Sequence, residues 1–392
     1  MEKSPPQNGF LILLASMLLM VVLGSVHAFS VFLEPLETQF QASRSAVSLT
    51  YSFALMTLTA MVLFGHRLYG LLRPAMFMVL VCLLAAAGAG LAAIADRLSL
   101  VWLGYSLLFG AANGLGYGYA LQISAQANPQ YKGFAMGLVT ASYALGAALA
   151  PWPLSAALTA FGFSGAMYTL ALALLVVLPL IAGAFVISRA SLALPENGEQ
   201  HNTSYSRLLV LQLWLAYGLA VTAGLMAIGH ATGIAQKGGV DPAWILIAPI
   251  VLAIFNMAGS LLGGWMSDRF SARLILTLLP LLSALSLLLL SQWLSGEAVL
   301  AGIAVTGFAY GAIIAVYPAV VSALFGAVAG IRVYGRIFIA WGLAGLSGPW
   351  LAGVFYDRYA DYSIALLVAA CAGLLSALIA FLTLRRSEGI AD

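Results

Sequence analysis

The sequence predicts an all-α membrane protein of twelve transmembrane helices arranged as two pseudo-symmetric six-helix bundles, and three observations lead there. Hydrophobic residues fill 63% of the 392 positions and charged residues only 7%, against about 25% charged in a soluble domain. Twelve stretches of 20 or more mostly apolar residues run along the chain, each long enough to cross about 30 Å of hydrocarbon. The second six of them repeat features of the first six.

The stretches lie near 10–33, 46–65, 74–95, 99–124, 133–156, 163–187, 207–233, 243–266, 274–293, 298–323, 334–356 and 362–384. The first is too long for the core of a signal peptide and lacks a small-residue cleavage site, so it is expected to remain as a helix. The most polar run, Ser188 to Arg207 (SRASLALPENGEQHNTSYSR), lies at the centre. It divides the chain into an amino-terminal bundle, 1–187, a linker, 188–206, and a carboxy-terminal bundle, 207–392. Orientation follows from the basic residues. With the amino terminus inside, Lys3, Arg67, Arg73, Lys132, Arg189, Arg207, Arg269, Arg273, Arg332, Arg336, Arg385 and Arg386 collect on that face, leaving Arg44, Arg97, Lys237 and Arg358 outside. This predicts a multi-pass protein of a bacterial cytoplasmic membrane with both termini and the linker cytoplasmic. Glu34, Glu37, Asp96, Asp241, Glu297 and Asp361 then fall at outer helix ends or loops.

Internal repetition supports the two bundles. His27 precedes Arg67 by 40 residues, and His230 precedes Arg269 by 39. GAALAPW at Gly146 to Trp152 corresponds to GLSGPW at Gly345 to Trp350, with Pro151 and Pro349 offset by 198. Parallel repeats of this kind are the architecture of two-halved secondary transporters, which bind solute near the midplane.

Between the eighth and ninth stretches lies GGWMSDRFSAR, Gly263 to Arg273, with Asp268 at a helix end followed by Arg269 and Arg273. Its counterpart is FGHRLYGLLR, Phe64 to Arg73, in which His66 stands at the aspartate position between Phe64 and Arg67. The loop resembles the cytoplasmic signature loop of the major facilitator superfamily. That resemblance implies the major facilitator fold and a conformational gating role for Arg67, Arg73, Asp268, Arg269 and Arg273. The run from Gly24 to Phe53 (GSVHAFSVFLEPLETQFQASRSAVSLTYSF), followed by GAANGLGYGYA at Gly110 to Ala120, is similar to the monocarboxylate transporter and oxalate/formate antiporter branch. Such a relation implies small organic acids as substrates and positive side chains from the carboxy-terminal half around the carboxylate. In this chain Ser260 follows Gly259 where that branch has arginine, and the middle of the eleventh stretch, around Trp341, has no lysine.

Ionisable residues inside a span are costly and therefore candidates for function. No Asp or Glu lies at mid-membrane depth, which leaves His27 and His230. Either histidine can donate to a carboxylate or carry a coupling proton. The alternative is a hydrogen bond to neighbouring backbone or tyrosine near the outer interface. Metal ligation is disfavoured, because two histidines with no thiol or carboxylate cluster make a poor site. Asn113 and Asn256 are amides near mid-span, suited either to gripping substrate oxygens or to bonding between helices. The fourth span repeats glycine at Gly110, Gly114, Gly116 and Gly118, for helix packing or for close approach of a substrate. Tyr51, Tyr117, Tyr119, Tyr143, Tyr310, Tyr317 and Trp341 supply aromatic and hydroxyl groups, about half of them expected to touch substrate. Arg336, near the start of the eleventh span, either snorkels to headgroups or reaches inward as an anion site. Pro151, Pro153, Pro318 and Pro349 predict bends.

Cys82 and Cys371 fall in apolar stretches and read as small hydrophobes. No phosphate-binding loop with Lys-Ser/Thr is present, so ATP is not the expected energy source. The basic residues are scattered, giving no nucleic-acid footprint. The expected protein is a monomeric secondary transporter without cofactor or metal. It moves a small organic acid by alternating access, with a proton or by exchange, through a cavity lined by the first, fourth, seventh and tenth helices. The rival readings are an exporter of neutral, zwitterionic or lipophilic metabolites or drugs, and a ligand sensor that does not turn over. An enzyme is disfavoured, since no nucleophile with a base appears in the spans.

Overall fold

The computed structural model describes residues 7–192, 206–292 and 295–388. Residues 193–205 of the linker, together with Lys3 and the side chains of Asp268, Arg332, Arg385 and Arg386, lie outside the described residues. Among the described residues the chain is all helical. In a bilayer the backbone has no water to bond, so apolar sequence of this kind must satisfy its amides and carbonyls within helices.

The α-helices are α1 Gly9–Leu23, α2 Leu33–Phe40, α3 Arg44–Phe64, α4 Pro74–Ala93, α5 Leu98–Val101, α6 Gly110–Ala127, α7 Lys132–Leu149, α8 Pro151–Ile187, α9 Arg207–Lys237, α10 Ile247–Arg269, α11 Ala272–Gln292, α12 Ala298–Phe325, α13 Ala327–Tyr359 and α14 Ser363–Glu388. Among the described residues three helical segments depart from α geometry, the shortest being the three-residue 3-10 helix Gly65–Arg67 after α3. Gly24–Phe32, between α1 and α2, is a 3-10 helix of nine residues, and Trp102–Phe109, between α5 and α6, is a π-helix. Among the described residues eleven continuous helical stretches are long and apolar enough to cross a membrane. The longest, Lys132–Ile187, has 56 residues and contains a break at Gly162, whose φ of 66° is left-handed and suits glycine. As one straight rod it would run about 84 Å at 1.5 Å per residue, but the chain turns at Gly162 and brings Gly146, Pro153 and Leu154 around the same pocket as Thr169 and Leu170.

The chain clusters into two compact units, Met1–Val26 with Phe53–Gln200, and His27–Ser52 with His201–Asp392. The second therefore includes a segment from the first half of the sequence. The unit boundaries fall inside the 3-10 helix, after Val26, and inside α3, after Ser52.

In the first unit the repeated glycines serve close packing. A methyl group on Gly110 would lie 2.9 Å from the Ala54 carbonyl oxygen, and one on Gly114 would strike the Leu58 carbonyl of α3. Gly118 faces the Tyr69 hydroxyl, and Tyr69 in turn packs edge-on against Tyr119 at 5.0 Å between centroids. Gly24 and Gly146 bring α1 and the 3-10 helix against α7, facing the Tyr143 and Val21 backbones. Pro151 opens α8 as one of its first residues, where its missing amide costs nothing. In the second unit, α10 and α12 meet at Gly259, Gly307 and Gly311, each set against the other helix's backbone, while Gly224 of α9 lies on the Tyr310 ring. Pro318 and Pro349 lie inside α12 and α13.

Adding one methyl group separates these sites from permissive ones. Gly311→Ala, which meets the Asn256 backbone, is expected to destabilise the purified protein by about 1–3 kcal/mol. Gly137→Ala, with nothing within 4 Å, should be neutral or stabilising by less than about 1 kcal/mol. Thermal unfolding in detergent measures both.

Candidate functional site

The first candidate, His27, sits where helix 1 abandons α geometry. A nine-residue 3-10 run is unusual, since such helices seldom exceed three or four residues, and a mid-helix example marks a hinge or a strained functional segment. Two of its carbonyls, and the one just before it, accept from side chains elsewhere. Asn113 Nδ2 donates to the Leu23 carbonyl at 2.7 Å, Tyr105 Oη to Val26 at 3.4 Å, and Thr232 Oγ1 to Ser30 at 2.6 Å. Half-buried His27 places Nδ1 2.6 Å from Tyr51 Oη, and Phe29 stacks on the Tyr51 ring at 5.6 Å and 7°. Tyr51 itself is fully buried.

His230 marks the corresponding irregularity in α9. Its φ of −126° and ψ of 16° are not helical, and the side chain is fully buried. Nε2 lies 2.8 Å from the Pro349 carbonyl oxygen, which only accepts, so Nε2 carries the hydrogen. Nδ1 of the neutral ring is then the acceptor for the Tyr362 hydroxyl at 3.0 Å. Ser48 Oγ donates to the Arg44 carbonyl at 2.7 Å and lies 3.2 Å from Nε2. A methyl group on Gly229 would be 3.1 Å from Tyr51 Cδ1. The second unit thus gathers His27, Tyr51 and His230 into one neighbourhood, with Tyr51 bonded to the first histidine and packed beside the residue preceding the second.

One turn away is a constellation that the sequence expectation overlooked. Arg44, only 5% exposed, pairs with Glu37 through its Nε, adds an Nη2 bond to Glu37 Oε2 at 2.8 Å, and donates through Nη1 to Tyr362 Oη at 2.7 Å. Its guanidinium lies 4.1 Å from the centre of the Tyr356 ring, with Lys237 Nζ 5.4 Å from the same ring. The Asp357 carboxylate accepts from the backbone amides of Arg44 at 2.8 Å and Ser45 at 2.9 Å. A signal for this pairing was present. Asp357 lies in the last turn of α13 and Arg44 in the first turn of α3, so each charge opposes its own helix dipole and is favourable only at the other's end.

The remaining candidates divide between the units. In the first, fully buried Asn113 spends its Nδ2 on Leu23 and accepts at Oδ1 from Tyr143 Oη at 2.6 Å. Tyr117 packs edge-on against Tyr143 at 5.2 Å, with its hydroxyl 3.5 Å from Thr140 Oγ1. In the second, Trp341 Nε1 donates to Tyr310 Oη at 2.9 Å, and Phe338 stacks on Trp341 at 5.4 Å and 6°. Asn256 is partly buried against Gly311, whose carbonyl accepts from Ser260 at 3.1 Å. Arg336 is exposed. Of the loop residues, Arg67 and Arg73 are exposed, with Arg67 5.7 Å from the Phe64 ring. Arg269 lies 5.7 Å from the Trp265 ring, and Arg273 4.2 Å from that of Phe381. Among the described residues, no group of three or more His, Cys, Asp or Glu could hold a metal ion.

Residues 213–391 match the family model described as Major Facilitator Superfamily. Over 355 residues the chain is 27% identical to YhjX of Escherichia coli strain K12, an uncharacterized MFS-type transporter, across 87% of this chain and 86% of that protein. Three solved structures share the fold. A peptide transporter POT superposes with a TM-score of 0.80 at 12% identity, covering 97% of this chain and 95% of that one. A bacterial homologue of the human lysosomal transporter Spinster, inward-facing and occupied, gives 0.73 at 15% identity over 97% and 98%. The xylose transporter XylE of E. coli, partially occluded and inward open, gives 0.70 at 15% over 94% and 98%.

The Asn113 network makes a direct prediction. Tyr143→Phe removes the donor to a buried amide oxygen and is expected to cost about 1–3 kcal/mol. Thermal unfolding of the variant measures this, and Asn113→Ala combined with it should cost less than the sum of the two single changes.

Proposed function

We propose that this chain, a transporter of the Major Facilitator Superfamily type, moves a small organic acid of the monocarboxylate kind by alternating access, driven by a proton or by exchange. The observation that carries the reading is the placement of the two repeat-related histidines at breaks in helix geometry: His27 in the 3-10 helix and His230 at the non-helical residue of α9. Interrupted helices at corresponding positions of two repeats are the best pointer to a transporter's binding site. There the interruption frees backbone groups and presents them beside a titratable side chain.

Apart from Arg44, which is held by Glu37 and Tyr362, the donors in that neighbourhood are neutral: the Tyr51 hydroxyl, the imidazoles, and further along the second unit the Tyr310 hydroxyl and the Trp341 indole. Such donors bind carboxylate oxygen without a fixed cation, which fits a chain with Ser260 where related carriers of organic acids have arginine. Arg336, Asn256, Asn113, Tyr117 and Tyr143 remain proposed contacts for other stages of the cycle. Arg67, Arg73, Asp268, Arg269 and Arg273 are proposed to hold the gating loops. Twelve crossings, with Gly162 separating two of them, and a bacterial inner-membrane location with both termini inside complete the proposal.

A second reading is favoured by the aromatic stack of Trp341, Phe338 and Tyr334. It suits export of neutral, zwitterionic or lipophilic metabolites. Counterflow in proteoliposomes separates the readings. Vesicles preloaded with an unlabelled monocarboxylate are expected to accumulate its radiolabelled form, faster at pH 5.5 than at 7.5. His27→Ala and His230→Ala should each flatten that pH dependence while leaving the elution profile unchanged. Counterflow of lipophilic amines alone would favour the exporter, and ligand binding without counterflow would indicate a sensor.

A further inference from the structure

The Arg44 cluster is larger than a helix cap requires. It ties segment 27–52 to α9, to the end of α13 and to the turn before α14 through a continuous chain of hydrogen bonds. From the outer end it runs from Glu37 to Arg44, from Arg44 Nη1 to Tyr362 Oη, from Tyr362 to His230 Nδ1, and from His230 Nε2 to the Pro349 carbonyl. Asp357 closes a second branch by accepting from the first two amides of α3. Every donor direction in the main branch is fixed. Arg44 donates only, Pro349 oxygen accepts only, and so the Tyr362 hydrogen must point to an unprotonated Nδ1. Burial keeps the Tyr362 phenol protonated, as this donor role needs.

We propose that Arg44, Asp357, Tyr362 and His230 form a proton-responsive latch that is closed while His230 is neutral and releases segment 27–52 when the imidazole binds a second proton. With Nδ1 protonated, Tyr362 Oη would face hydrogen donors on both sides, Arg44 at 2.7 Å and His230 at 3.0 Å, with no acceptor for its own hydrogen. Two positive groups would then flank one oxygen. The sign follows directly: the closed latch holds one proton fewer at His230 than the open one, so falling pH favours opening.

The charged and titratable groups around the network are Glu37, Arg44, His27 and Tyr51 from segment 27–52, Lys237 from α9, Tyr356 and Asp357 from α13, and Tyr362. Both carboxylates are already engaged, Glu37 by the guanidinium and Asp357 by the α3 amides. Segment 27–52 is also where the chain passes between compact units, entering through the 3-10 helix and leaving within α3. Its release therefore acts on a stretch already built as a hinge. The latch rests on the transport reading only for its purpose, the coupling of a proton to a change of access.

The test needs no substrate, so its failure is distinguishable from failure of the organic-acid reading. Cys82 and Cys371 are replaced by alanine, and spin labels are attached to cysteines introduced at Thr38 and Arg358, both exposed and outside the network. Double electron–electron resonance then reads their separation at pH 7.5 and 5.5. The unmodified network is expected to show a longer-distance population that grows about threefold or more on acidification. His230→Gln, a neutral donor and acceptor, should keep the short distance at both pH values. Asp357→Asn and Tyr362→Phe should show the long distance already at pH 7.5. A pH response that survives His230→Gln overturns the assignment of the proton to this residue. Distances unmoved by Asp357→Asn and Tyr362→Phe, in protein with an unchanged elution profile, overturn the latch itself.

Discussion

A backbone amide or carbonyl left unbonded in hydrocarbon costs several kcal/mol, and this constraint governs where the chain can depart from α-helix. Two of the departures are accompanied by side-chain hydrogen bonds. The 3-10 helix Gly24–Phe32 is accompanied by Asn113, Tyr105 and Thr232, each donating to one of its carbonyls or to the one just before it. The break at His230 is accompanied by the imidazole bond to Pro349. A polar side chain in these spans is therefore coupled to a particular piece of irregular backbone. That coupling joins residues far apart in sequence within each unit.

Charge obeys a related economy. Arg44 is buried, yet it has a carboxylate, a phenol and an aromatic face around it. Removing one member would leave the others buried without a partner, which is why such clusters lose more when broken than they contribute when whole. Asp357 and Arg44 each sit at the unfavourable end of their own helix and the favourable end of the other's. The arrangement is stable only while the two helix ends are together, which is the property a latch requires.

The apolar stretches were legible from composition, because a helix in a bilayer has to be long and apolar whatever surrounds it; twelve were expected, and eleven candidate spans are found among the described residues, Lys132–Ile187 running on as one helical stretch. The repeat-related positions of His27 and His230 were legible for the same reason. Their surroundings were not. Periodicity cannot separate a 3-10 or π-helical run from α-helix, so the irregular stretches at 24–32 and 102–109 read as uninterrupted helix. Arg44 counted as an ordinary outer charge, because its partners Asp357 and Tyr362 lie more than 300 residues away. The glycines of the fourth span were open between packing and substrate approach, and the Ala54 and Leu58 backbones settle Gly110 and Gly114 as packing positions.

The central claim is that neutral donors beside two titratable histidines recognise an organic acid. The most direct measurement is the thermal stability of the purified protein against monocarboxylates, dicarboxylates, amino acids and lipophilic amines at pH 5.5 and 7.5. A ligand at 100 times its dissociation constant adds about 2.7 kcal/mol to the folded state. Stabilisation confined to carboxylates and larger at the lower pH is the predicted result. Stabilisation only by amines or neutral lipophiles, or a carboxylate effect indifferent to pH, would contradict the account.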